Sequence, residues 1–182
     1  MSPVVFLLEE YSMKVLLDGF LPRLYAGLDF LSVPHEGKQD LEKSIPRKLR
    51  AWREPGVRFV ILRDNDGADC TVLKQRLVKL CLEAGRPDSI VRIVCQELEA
   101  WCLAEPEALA HAYNEFGLVK TLRAARFRNP DSVAKPSVEM EKILPPFQKA
   151  GGARLMAKTL SRERNMSSSF HALLKSLDSL VG

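Results

Sequence analysis

An α/β fold on a mostly parallel sheet of about four strands, followed by an α-helical carboxyl-terminal extension, is predicted for this chain. Three observations predict it. Short apolar runs alternate with helical stretches up to residue 104, and beyond that point no convincing strand is found. The runs are bounded by glycine, proline or acid, as buried strands are. Three of the four end in carboxylates: Glu9-Glu10, then Asp64 and Asp66, then Glu97 and Glu99. In a parallel sheet those ends share one edge, so acids distant in sequence can meet there.

The first strand is Val4 to Leu8. A helix is expected over residues 11–25, with Val15, Leu16, Phe20 and Leu24 at helical spacing and Pro22 able to end it early. Residues 29–35 read as the second strand, stopped at Pro34. An amphipathic, basic helix then runs to about Trp52, with Pro46 as a break point. Phe59-Val60-Ile61-Leu62 is the third strand. The helix over 69–84 places Val72, Leu73, Leu77, Leu80 and Cys81 on one face. A turn at 85–88 leads to the fourth strand, Ile90 to Val94, and Glu97 opens the next helix. Residues 107–128 look helical and 129–136 form a loop. Pro145-Pro146 interrupts a further helical stretch, Gly151-Gly152 precedes another, and Ser167-Ser168-Ser169 caps the last.

Hydrophobic and charged contents of 46% and 27% are those of a soluble globular chain. At 182 residues one domain is expected, with residues 1–104 as the α/β core and 105–182 as a helical extension packed on it. The four cysteines form no C-x-x-C pair, which removes zinc-finger spacing. They lie in or beside apolar runs and read as buried, reduced thiols of a cytoplasmic protein. The amino-terminal apolar run is short and lacks a basic region, unlike a signal peptide, and no segment approaches the roughly 20 apolar residues of a membrane span. Residues 105–182 hold 12 basic and 8 acidic side chains and so carry the whole net charge of +4. Such a concentration suits a nucleic acid, although solvated helix faces look similar. Arg154, Lys158 and Arg162, at four-residue steps, form one candidate basic face.

Chemistry concentrates in Arg63-Asp64-Asn65-Asp66-Gly67-Ala68-Asp69-Cys70. Alternate residues of an extended segment point the same way, so Asp64 and Asp66 can converge. Converging carboxylates repel unless a proton or cation lies between them, and hard cations such as Mg²⁺ take such oxygens. The alternative is a turn, with Asp69 capping the following helix. Glu97 and Glu99 face different ways on a helix and also read as first-turn acids that complement its dipole. Lys38 can neutralise phosphate as a point charge, and Arg63 can pair with a neighbouring aspartate. Trp52 and Trp101 read as core or subunit-interface anchors, which leaves a homo-oligomer open.

A glutamate after the first strand and an Asp-x-Asp after a later one resemble the Toprim (topoisomerase-primase) domain. Leu8-Glu9-Glu10-Tyr11-Ser12 stands in place of that family's Val-Glu-Gly turn, and Asp64-Asn65-Asp66 in place of its Asp-x-Asp. The chain is still more similar to a small family of bacterial Toprim-like proteins, through LLEEYSM, LPRL, GKQDL, LRDNDGADC, QELEAW, KPSVEMEKILP, GGARLMAKTL and NMSSSF. The resemblance implies a three-layer Toprim-like core and Mg²⁺ (or Mn²⁺) held by Glu9, Asp64 and Asp66, with Glu10 beside them. A second ion would fall to Asp69, Glu97 or Glu99. Two such ions roughly 4 Å apart would neutralise the phosphate, activate water and stabilise the leaving oxygen. The resemblance also implies an AAA or SMC-like ATPase partner, in the manner of OLD-type nucleases, and a phage-defence or DNA-transaction role. Two positions depart from the Toprim pattern: Glu10 stands where glycine is usual, and Met13 where the downstream acid is usual. The implied activity is Mg²⁺-dependent phosphodiester cleavage of DNA or RNA, with Glu9, Asp64, Asp66 and Lys38 as catalytic residues. A non-catalytic adaptor binding ATPase and nucleic acid is the alternative.

Overall fold

The computed structural model of the protein describes residues 3–182; Met1 and Ser2, the start of the run read as unlike a signal peptide, lie outside them. Four strands, β1 (Val4–Leu8), β2 (Phe30–Pro34), β3 (Arg58–Asp64) and β4 (Ile90–Val94), form one parallel sheet in the order β2-β1-β3-β4. The register sets Leu8 level with Pro34 and Leu62, and Asp64 level with Val94, so the strands end along one edge.

The sheet is buried on both faces, which is why its strands read as continuous apolar runs. Val4, Phe6, Leu8, Val60, Leu62 and Val94 face one apolar cluster. Val5, Leu7, Phe59, Ile61 and Val91, the alternate residues, face the other. Helices α2 (Lys38–Ala51) and α3 (Cys70–Glu83) cover the second face with Leu41, Ile45, Leu49, Leu73 and Leu77. Pro46 lies inside α2 without ending it. Val72, expected on the buried face of α3, is 64% exposed, because the buried stripe runs through Leu73, Leu77 and Cys81.

The first face is covered by α1 (Tyr11–Leu24), with Pro22 in its last turn, and by the carboxyl-terminal helices. These are α4 (Glu99–Leu103), α5 (Pro106–Tyr113), α6 (Gly117–Leu122), α7 (Pro136–Ile143), α8 (Lys149–Thr159) and α9 (Ser168–Val181). Short 3₁₀ turns at Ala125–Phe127 and Pro130–Ser132 break the region expected to be helix and loop. Trp101 is fully buried, with its indole N–H on Ser169 Oγ at 2.9 Å and its ring edge-on to Phe170. It is a core anchor that ties α4 to α9. Ser167 caps α9 by accepting from the Phe170 N–H at 3.1 Å.

Gly151 and Gly152 lie within α8 instead of preceding it. Gly152 is there for space: a Cβ would overlap the Phe147 ring. Gly19 does the same on α1, where a Cβ would stand 2.8 Å from that of Ala157. Close α1–α8 packing depends on it, and α8 carries a lysine to the acidic edge. Gly19→Leu is therefore expected to destabilise the protein by about 1–3 kcal/mol despite its better helix propensity. Chemical denaturation measures the change, and unaltered stability would refute the tight contact.

Candidate functional site

The carboxyl edge of the sheet is the candidate site. Glu9 and Glu10 follow β1, Asp64 ends β3, and Asp66 lies in the turn beyond it. Glu99 opens α4, after β4. Glu9, Asp64 and Glu99 are buried, with 9%, 4% and 2% of their surface exposed. Buried carboxylates ordinarily have partners. Here Asp64 Oδ1 and Glu99 Oε2 have no hydrogen-bond partner at all.

Glu9 Oε2 accepts the Asp64 backbone N–H at 3.0 Å and lies 3.7 Å from Arg63 Nε. Arg63, on the opposite side of β3 from Asp64, is buried and hydrogen-bonds Glu42 of α2, which also takes Arg76 at 2.6 Å. It pairs with the glutamates, not with an aspartate. Asp64 instead feels Glu9, Glu10, Glu99 and Asp66.

Asp66 departs from the extended path expected for it, adopting φ +48°. The turn is held from β4: the Asn65 N–H donates to Val94 O at 3.1 Å and the Asp66 N–H to Gln96 O at 3.1 Å. The Gln96 N–H donates to Asn65 Oδ1, and Gln96 is itself left-handed at φ +65°. Two non-glycine residues in this sparsely populated region are backbone strain gathered at one point. Asp66 still faces the cluster, and Lys38 Nζ approaches its Oδ2 at 3.4 Å.

Two of the expected ligands are engaged elsewhere. Asp69 caps α3, accepting the Val72 N–H at 2.8 Å. Glu97 Oε2 accepts the Ser137 N–H at 2.7 Å, at the start of α7. Asp69 therefore does the capping offered as its alternative to metal ligation, whereas Glu97 precedes α4, so it is not a first-turn acid of that helix and holds the start of α7 instead. The basic stripe is also corrected: α8 ends at Thr159, and Leu160 is extended at ψ 139°, so Arg162 lies beyond the helix face of Arg154 and Lys158. Its guanidinium makes a bidentate pair with Asp178, 2.8 Å for each bond, and reaches Tyr25 Oη at 2.8 Å.

Lys149 joins this edge from outside the sequence motifs. At the start of α8 it places Nζ 3.4 Å from Glu10 Oε2 and 3.8 Å from Glu99 Oε1. Its only local signal was a cation in the first turn of a helix, where the dipole disfavours one unless acids surround it.

Burial, then the Asp66 charge, raises the Glu9 carboxyl to about 7. Burial and the charges of Glu9, Glu10 and Glu99 hold Asp64 well above the usual carboxylate range. Burial raises Glu99 as well, against the pull of Lys149. For Lys149, burial opposes the charge, but Glu99, Glu10 and Asp64 outweigh it and the amine is raised. Strongly perturbed groups of this kind gather at functional sites. Among the described residues no three His, Cys, Asp or Glu side chains already stand close enough together to hold a metal ion. The donors nevertheless fit a hard cation: carboxylate oxygens, two of them orphaned.

A three-layer α/β domain with an acidic edge on its parallel sheet is the class that fold and site define. The chain belongs to the family described as "Domain of unknown function (DUF4276)", whose model matches residues 8–178. Its fold is shared with two structures of the C-terminal region of the OLD protein of Xanthomonas campestris pv. campestris. The one phased with iodine has a TM-score of 0.55 at 14% identity, covering 99% of this chain and 95% of that one. The one phased with mercury gives 0.52 at 13% identity, covering 99% and 96%. Comparison with curated proteins gives no match. Among the described residues no helix is long and apolar enough to cross a membrane.

Proposed function

We propose that the protein is a Mg²⁺- or Mn²⁺-dependent nuclease or related phosphoryl-transfer protein acting on DNA or RNA, in concert with an ATPase. The observation that carries this is the buried Asp64 carboxylate, with one oxygen unpartnered and Glu9, Glu10, Glu99 and Asp66 charged around it. Such a group repays its burial when a cation arrives. Glu9, Asp64 and Asp66 would hold the ion, with Glu10 and Glu99 flanking. The ion would supply charge neutralisation at the scissile phosphate and a more acidic bound water. Lys38, half exposed beside Asp66, would attract the substrate phosphate into the edge. The fold shared with an OLD protein's C-terminal region supports the nuclease and ATPase reading, as do the sequence motifs.

The adaptor reading has its own observation. Lys149 already sits between Glu10 and Glu99, and among the described residues no three acids are drawn together as ligands. One experiment separates the two. Labelled single- and double-stranded DNA and RNA are incubated with the protein in Mg²⁺, Mn²⁺ or chelator, alongside Asp64→Ala/Asp66→Ala. Cation-dependent cleavage that disappears in the double variant is the expected result. Binding without cleavage, unchanged in the double variant, would overturn the nuclease reading in favour of the adaptor.

A further inference from the structure

A group of cations gathers where α1 and α8 end, away from the acidic edge. The start of α8 brings Lys149 to that edge, and Lys158 stands nine residues further on, about 14 Å along the helix. There Arg23, from the last turn of α1, Lys158 and Arg164 line an open groove of about 490 Å³ with Glu107 and His111 of α5. The two guanidiniums are pinned. Arg23 Nη1 donates to Ala157 O at 2.7 Å and to Leu160 O at 3.2 Å. Arg164 donates from Nε to Glu105 Oε1 at 3.0 Å and from Nη2 to Thr159 O at 3.4 Å. Glu105 is fully buried and also accepts the Ser161 N–H at 2.8 Å and its hydroxyl at 2.9 Å. Capping the last carbonyls of α8 thus occupies one nitrogen of each arginine, and Glu105 a second of Arg164. Among the described residues, Nε and Nη2 of Arg23, Nη1 of Arg164 and Nζ of Lys158 make no hydrogen bond or ion pair.

We infer that this groove is a binding site for a phosphoryl anion, separate from the acidic edge. A guanidinium fork matches two phosphate oxygens and an ammonium supplies a point charge, so two arginines and a lysine suit one phosphoryl group. Pinning matters because each guanidinium is ordered before the anion arrives, which lowers the entropy lost on binding. The charges agree. Glu107 is the one carboxylate lining the groove, and Arg123 takes its Oε1 at 2.6 Å. Arg23, Arg123, Lys158 and Arg164 therefore balance only Glu105 and Glu107, a surplus of two positive charges. The anion is either a free phosphoryl group or a phosphate of a nucleic-acid backbone, since both present the same oxygens. Neither source depends on the nuclease reading, because no residue of the groove belongs to the acidic edge.

The test titrates the ¹⁵N-labelled whole chain in chelator at constant ionic strength, with sodium phosphate and separately with a short oligonucleotide lacking terminal phosphates. Backbone amide and arginine Nε–H signals are followed by NMR. Saturable shifts are expected at Thr159, at His111 and at the Nε–H groups of Arg23 and Arg164. Lys158→Gln removes an exposed cation that holds no protein partner, so the fold is kept, and binding should weaken about tenfold. Asp64→Ala/Asp66→Ala should leave the binding unchanged, which separates this site from the acidic edge. Tighter binding of phosphate than of the oligonucleotide, compared per phosphate, identifies a free phosphoryl ligand; the reverse order identifies a nucleic-acid backbone. Shifts that never saturate, that persist unchanged in Lys158→Gln, or that vanish with the two aspartates would overturn the proposal.

Discussion

Asp64→Asn is expected to abolish Mn²⁺ binding while raising the melting temperature of the cation-free protein. The two effects share one cause. Asp64 is 4% exposed, its Oδ1 has no donor, and Glu9, Glu10, Glu99 and Asp66 all oppose its charge. Asn keeps the shape, removes the charge and adds an N–H that neighbouring carboxylates can accept. At neutral pH the substitution should relieve the fold, because burial and the neighbouring carboxylates disfavour the ionised Asp64 side chain. The loss of affinity should exceed the roughly 10–100-fold cost of deleting an outer-shell partner, since a direct oxygen ligand goes. Titration calorimetry with Mn²⁺ and thermal melts in chelator read the two effects separately. Unchanged affinity would remove Asp64 from the cation site. A lower melting temperature would make its charge a structural requirement instead.

How far the sequence could reach is clearest at this edge. Glu9, Asp64 and Asp66 were legible because a strand's period and its terminator are local facts, and parallel topology brings such ends together whatever lies between. Asp69 and Glu97 carry the same chemistry at the same edge, yet backbone N–H groups of α3 and α7 take them. A carboxylate's partner is decided by which orphan donor lies nearest in space, and spacing alone does not report that. Lys149 shows the opposite failure. It lies 139 residues from Glu10, and the glycine pair beside it suggests a break. Gly152 is in fact the contact that lets the Phe147 ring pack on α8. The position of Asp66 was legible but its backbone was not, because φ +48° is imposed by hydrogen bonds from the β4 side.

Lys149→Met should destabilise the cation-free protein and steepen its loss of stability as pH rises from 5 to 8. Methionine keeps most of the stem that packs near Leu16 and Phe147 but removes the cation beside Glu10 and Glu99. Breaking a fully buried pair costs about 3–5 kcal/mol; with the Lys149 side chain 50% exposed, about 1–2 kcal/mol is expected. The pH dependence follows from the sign of the shifts. Glu9 is raised from 4.5 to about 7, so its protonated form is favoured in the fold. That contribution is fully present below pH 4.5 and lost as pH climbs through 7. Asp64 and Glu99 are raised too and act in the same direction. Without Lys149 the Glu99 and Asp64 carboxyls should rise further, because the charge that favours their ionised forms is gone. Melts of parent and variant at steps from pH 5 to 8, with and without Mg²⁺, measure this. The gap between them should widen with pH in chelator and narrow when Mg²⁺ takes over the neutralisation. Parallel curves at every pH would mean that Lys149 does not balance the acidic edge, and a gap indifferent to Mg²⁺ would mean that no cation does.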